Sequence, residues 1–289
     1  MSAALKLAAF AGLLLLVFVA SIGVGRALDP EKPTRAAESE HADEGEGAMS
    51  MSGGAAGAHA VRGLAVEDHG VRLIVETPEL MRGAREQLRF RIVDTSGATV
   101  RDFTPTHTKP MHLIVVRRDL TGFQHLHPQM EADGTWSAAV SLPQAGSYRL
   151  FADFLREGEP VTLASDLRVD GESKLKPLPA PAAAATDDGY RVRLSDSDSR
   201  PGKATSLRFE VSRDGRPVEV EKYLGADGHL VALRDGDLAF LHVHPEEHAG
   251  APGEIMFEAT FPTAGAYRLF LQFKDSGRVQ TAAFTEEVK

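Results

Sequence analysis

The sequence predicts an all-β protein: two tandem immunoglobulin-like β-sandwich domains behind a single N-terminal transmembrane helix. Three observations predict it. Residues 7–25, LAAFAGLLLLVFVASIGVG, run for 19 residues without a charge. From about Val61 the chain becomes a series of short alternating or apolar runs separated by turn residues, with no amphipathic helical period between them. Those runs then occur a second time at a nearly constant offset.

A helix needs ~20 apolar residues to cross the hydrocarbon core, and a secretory core segment is shorter, roughly 7–15 residues. Residues 1–27 therefore read as a membrane anchor or signal segment, with the anchor favoured by length. Gly25-Arg26-Ala27 would serve as a cleavage site. Lys6 stands on one flank and Arg26, Lys32 and Arg35 on the other, so charge alone does not orient the segment. An N-terminal apolar segment heading an otherwise polar chain acts as an export signal, which places the bulk of the chain outside the cytoplasm. Residues 28–60 are rich in Ala, Gly, Glu and Ser and read as a flexible tether. Met49 and Met51 beside His41 are soft donors that could capture copper, though a solvated linker with incidental Met and His is the favoured reading.

Residues 61–171 form the first predicted domain. VRLIVE (71–76), LRFRIV (88–93), HLIVV (112–116), TWSAAVSL (135–142) and YRLFADF (148–154) have strand periodicity and β-branched or aromatic content. Strands without intervening helices make a sandwich or a barrel. Residues 172–188 are a linker in which Pro177, Pro179 and Pro181 forbid a helix. Residues 189–289 restart the pattern. LRFEV (207–211) repeats LRFRI (88–92) at an offset of 119, and residues 228–245 repeat 111–128 without a gap at 117. FPTAGAYRLFLQF (261–273) repeats LPQAGSYRLFADF (142–154), again at 119. This is a tandem duplication of one β-domain. Gly146 and Gly265 mark a turn, and Tyr148 and Tyr267 open the next strand, where a sandwich places a tyrosine corner.

The net charge is −9, which excludes nucleic acid as the main partner, because phosphate binding needs a basic face. There are no cysteines, so disulfides, thiolate ligands and Cys nucleophiles are excluded together. No Walker loop, serine elbow or HExxH helix is present. The sequence therefore reads as a non-enzyme.

Six of the eleven histidines form two equivalent triplets: His112, His125 and His127, then His229, His242 and His244. Each triplet has the spacing H-x12-H-x-H-P. Residues i and i+2 of a strand share a face, so the last two of each triplet project together. Asp235-Gly236 signals a two-residue turn pairing Arg234 with Asp237. That register sets His229 opposite His242, and the same spacing sets His112 opposite His125. Three neutral imidazoles with one open position suit Cu(II) or Zn(II). Met111 should face away from the site, while Met130 in the first domain, and Glu247 and His248 in the second, lie close enough in sequence to join. His59, His69 and His107 lack counterparts and read as surface residues. The histidine face also carries Ile114, Val116 and Phe123, and in the repeat Val231, Leu233 and Phe240, an apolar face suited to packing.

KPMHLIVVRRDLTGFQHLHP (109–128) and YLGADGHLVALRDGDLAFLHVHP (223–245) resemble segments of membrane-anchored bacterial extracytoplasmic proteins labelled YtkA-like or heavy-metal-associated. More broadly, they are similar to the immunoglobulin- or cupredoxin-like sandwiches of periplasmic copper-handling proteins. The resemblance covers both β-domains and implies an extracytoplasmic location and a sandwich fold. Together, residues and resemblance give the expectation that the two triplets bind a divalent transition metal, copper first and zinc second, for sequestration or delivery to a protein partner. The alternative is an interaction ectodomain in which the histidines are structural.

Overall fold

The computed structural model describes residues 61–195, 198–241, 243–246 and 251–289, and for Asp187 and His244 the backbone only. The apolar segment 7–25, the tether, His59, His242, Glu247 and His248 lie outside the described residues. Among the described residues there is no helix, and hence none long and apolar enough to cross a membrane.

The first domain runs β1 (Glu67–Asp68), β2 (Val71–Val75), β3 (Glu79–Leu80), β4 (Arg85–Asp94) and β5 (His112–Arg117). It continues with β6 (Gln124–Leu126), β7 (Gln129–Met130), β8 (Trp136–Ser141), β9 (Gly146–Arg156) and β10 (Glu159–Val169). One sheet has the order β1-β2-β4-β8-β7 and the other β3-β10-β9-β5-β6. The second domain runs β11 (Ala184–Asp187), β12 (Tyr190–Leu194), β13 (Ala204–Arg213), β14 (Arg216–Pro217) and β15 (His229–Arg234). Then follow β16 (Phe240–Leu241), β17 (His244–Pro245), β18 (Glu254–Thr260), β19 (Gly265–Asp275) and β20 (Arg278–Val288). Its sheets have the orders β11-β12-β13-β18-β17, with β14 on β13, and β16-β15-β19-β20. β11 lies inside the stretch whose composition reads as linker; Ala184–Asp187 pair antiparallel with Tyr190–Arg193.

This is the strand arrangement of an immunoglobulin-like sandwich, four strands opposite three with extra edge strands. Alternation decides what each sheet buries. In β13 every second residue is buried, and Leu207, Phe209 and Val211 enter the core of the second domain. The core of the first domain is built around Trp136, Phe90 and Tyr148. Both tyrosine corners form: the Tyr148 hydroxyl donates to the Gln144 carbonyl at 2.9 Å, and Tyr267 to the Thr263 carbonyl at 3.1 Å.

β5 breaks the alternation because all six of its residues are buried. Leu113 and Val115 face the core of their own sandwich, while Ile114 and Val116 belong to a third apolar cluster. That cluster is the contact between the domains. It joins Ile114, Val116, Leu120, Phe151 and Ala164 to Val231, Leu233, Leu238, Phe240 and Phe270. Phe123 stacks on Phe270 with ring centres 4.1 Å apart and planes 6° off parallel. The apolar face shared with the histidines is therefore covered by the other repeat. Gly63 sits where this contact is tightest. Its φ is +71°, and a Cβ there would lie 2.7–2.8 Å from Phe240 and Phe151, so only glycine fits.

The linker is held down at both ends. Arg117 donates to Ser173 Oγ at 3.0 Å and to the Lys174 carbonyl at 3.2 Å. Further along, Thr285 Oγ1 donates to the Pro179 carbonyl at 2.7 Å, and Leu178 packs on the third cluster.

Candidate metal centre

The hairpin register differs from the one the Asp-Gly signal predicts. Leu233 pairs with Phe240 and Ala232 with Leu241, and the Arg234 amide donates to the Ala239 carbonyl at 3.0 Å. The loop is therefore four residues, 235–238. Asp237 does not pair across the hairpin; its Oδ1 accepts from Arg234 Nε at 3.0 Å and from the Ala239 amide at 3.1 Å. Leu238 takes up the turn at φ +62°. In the first domain Ile114 pairs with His125 and Leu113 with Leu126, so the ladder sets His112 opposite His127 rather than His125. Both corrections move the register by two residues. A shift of two keeps every side chain on its face, whereas a shift of one would have turned the histidines away.

His112, His125 and His127 do converge. One ligating nitrogen from each lies within 4.8 Å of the other two. The ring centres stand 5.3 Å (112–125), 5.1 Å (112–127) and 4.9 Å (125–127) apart. His112 Nδ1 lies 3.0 Å from His125 Nε2. Their outer nitrogens meet protein oxygens: His112 Nε2 is 3.1 Å from the Thr106 carbonyl, and His125 Nδ1 is 2.7 Å from Gln272 Oε1. A histidine ligand ordinarily donates its second N–H to such an oxygen, which fixes ring and tautomer. His127 Nε2 is buried with no hydrogen-bond partner among the described residues.

Electrostatics keep the His125 and His127 rings neutral. Burial holds the His125 pKa well below its ordinary value, with the His112 and His127 rings adding to the effect and the Gln272 bond opposing it. Burial, then His112 and Lys109, bring His127 down to about 4. Neutral imidazole is the form that ligates a metal.

Of the second triplet only the His229 side chain is described. His242 and the His244 side chain lie outside the described residues. His229 faces the first domain's cluster across the domain contact, its ring centre 6.0 Å from those of both His112 and His125. Burial, followed by His107 and His112, lowers its pKa to about 3. His107 is not the surface residue expected from sequence. It lies in the Thr106–Lys109 turn at φ +47°, with its ring centre 4.8 Å from that of His229. The signal was present in the repeat, since Tyr223–Ala226 forms the equivalent turn at the same offset of 117. His69 is exposed, beside Asp68. Met111 points into the sandwich core, as strand alternation requires, and Met130 lies exposed on β7 in the opposite sheet.

Fold and cluster together define a tandem β-sandwich protein with one buried and several half-buried histidines at the contact between its repeats. The chain belongs to the family described as a domain of unknown function, DUF8832, whose model matches it twice, at residues 65–171 and 184–289. No curated protein matches the chain. Among solved structures it is similar to the Escherichia coli adhesin FdeC, at 14% identity and a TM-score of 0.27, over 78% of this chain and 66% of that one. It is also similar to Salmonella alpha-2-macroglobulin reacted with methylamine (13%, TM-score 0.28, 79% of this chain and 15% of that one). A third is Yersinia pseudotuberculosis InvD (11%, TM-score 0.25, 76% and 57%). The chain spans 66% or less of each of these, and likeness at this level carries no functional argument.

Proposed function

We propose that this protein binds a divalent transition metal, copper first and zinc second, through His112, His125 and His127. The domains stand outside the cytoplasm behind the N-terminal segment, and the bound ion is sequestered or passed to a delivery protein. No chemical step is assigned to the chain. The YtkA-like resemblance supports the location.

The pair of inward nitrogens carries the reading. The Thr106 and Gln272 oxygens each take a ring proton, so in neutral rings His112 Nδ1 and His125 Nε2 both hold lone pairs, 3.0 Å apart. Two lone pairs at that distance repel, and a cation between them turns the repulsion into coordination. Ligands about 2.0–2.1 Å from a tetrahedral ion have nitrogens roughly 3.3 Å apart. The widest spread here, 4.8 Å, closes to that by ring rotation of about an ångström and a half. Without thiolates the donor set favours Cu(II) or Zn(II) over Cu(I).

One observation favours a second reading. Gln272 Nε2 lies 3.3 Å from Thr281 Oγ1, and a hydroxyl donates as readily as it accepts. With the amide reversed, Gln272 would donate to His125, His125 to His112, and His112 to Thr106, closing a line with no ion. The domains would then be an interaction ectodomain with structural histidines. That line leaves the buried Nε2 of His127 unpaired, which an ion would satisfy. Titration calorimetry of the full-length chain with Cu(II) and Zn(II) separates the two. Micromolar or tighter binding, weakened at least a hundredfold by His125→Ala, is expected from losing a ligand; absence of binding, or a variant that binds like the parent, overturns the metal reading.

A further inference from the structure

His229 opens β15 at the position His112 occupies in β5, yet its ring is not turned to its own sandwich core. It enters the first domain's cluster, with its ring centre 6.0 Å from His112 and from His125. Its Nε2 is buried without a hydrogen-bond partner among the described residues, and a hydrogen bond with the Leu224 backbone opposes the burial that lowers its pKa. This repeats the pattern of His112 and His125: one nitrogen tied to the backbone or an amide, the other aimed inward. A cavity of about 40 Å³ lies between the domains; His107, His112, His125, Asp153 and His229 are its polar lining, the rest is apolar, and His127 stands outside it. A volume of that size accepts a single ion or water. Around a tetrahedral ion with Zn–N or Cu–N of about 2.0–2.1 Å, ring centres stand roughly 5 Å apart and reach ~6 Å as the angle opens. The three first-domain rings meet the former figure, and His229 meets the latter against His112 and His125.

Resting on the metal reading above, we propose that His229 is the fourth ligand of one ion held jointly by both repeats. The ion then clasps domain to domain, in place of two independent three-histidine sites. The Gln272 amide, also from the second domain, orients His125 for the same ion.

The test uses the full-length chain carrying His242→Ala and His244→Ala, so that neither of those rings can supply a nitrogen. It is loaded with one equivalent of Zn(II) or Cu(II). X-ray absorption should count four imidazoles, falling to three in His229→Ala and His229→Gln. Affinity should fall about a hundredfold in both variants, at or beyond the upper end for outer-shell changes. Three imidazoles before substitution, or unchanged affinity after it, overturns the role of His229 and leaves a three-histidine site standing. No metal bound by the parent overturns the metal reading, and the clasp with it. The absorption count is read before His229 is changed, so it does not depend on the His229 variants folding.

Discussion

The two histidine hairpins began as copies and now differ in what surrounds them. His112 pairs across its sheet with Asp153, and His229 pairs at the equivalent place with Gln272. Each of these polar residues is held by a threonine one strand further on: Thr162 Oγ1 donates to Asp153 at 2.6 Å, and Gln272 Nε2 to Thr281 at 3.3 Å. The turn preceding β5 carries His107, while its copy carries Leu224 and Tyr223, the latter edge-on to His229 at 5.5 Å. The scaffold of strand, turn and threonine was kept, and the chemistry at its tips diverged. One side carries a carboxylate, whereas the other carries an amide that crosses the contact to His125. Two such surfaces, facing each other, bring unequal groups to the contact.

The largest expected effect tests whether the contact between the repeats is a true core. Phe270→Ala removes a ring that is 4% exposed and stacked on Phe123. It should cost about 3–5 kcal/mol by urea denaturation, as in a sandwich interior. A loss under about 1 kcal/mol would mean that the domains dock loosely. Next comes the divergence at position 272. Gln272→Ala removes the oxygen that orients His125 and should weaken Cu(II) binding by roughly 10–100-fold in calorimetry; unchanged affinity would show that the His125 ring is positioned otherwise. Smaller still, Tyr148→Phe and Tyr267→Phe should each cost about 1 kcal/mol in thermal or urea unfolding. Unequal costs would show that the duplicated corner no longer does the same work in both copies.

The last effect is absent near neutrality and grows with acid. In the unfolded chain histidine takes up a proton near pH 6.5. Folded His127 does so only at about 4 and folded His229 at about 3. Between those values and 6.5 the unfolded state binds more protons, so stability of the metal-free protein falls as pH drops, and above 6.5 the contribution is flat. Denaturant midpoints measured from pH 7.5 to 4.5 check this. His229→Ala should flatten the decline; an unaltered slope would show that His229 is not held neutral.

Much of this was legible in residue order. Alternation in LRFEV and the tyrosine of AGSYRLF report on neighbours two to four residues away, and the sandwiches follow from them. The face carrying His112, His125 and His127 was also legible, because a register error of two residues leaves a face unchanged. Two things were not. The Asp-Gly pair predicts a two-residue turn from local torsion, but Asp237 finds stronger partners in Arg234 and the Ala239 amide, which lengthens the loop. The continuous run HLIVV announced a strand buried on both sides without saying what buries it. The answer, Phe240 and Phe270, lies more than a hundred residues away, and no local period encodes it.

Synthesis order gives the third cluster a further meaning. The chain is made from its N-terminus, so the first sandwich can close its own core while Ile114, Val116 and Phe151 still face water. They stay bare until Val231, Leu233, Phe240 and Phe270 have been added. A nascent first repeat thus presents a sticky sheet whose intended cover has not been translated, and a second chain's first repeat is the nearest substitute. Gly63 and the pinned linker leave that interval unchanged. They hold the late-made half against the early-made half once it arrives, so the same face that builds the centre sets the hazard of making it.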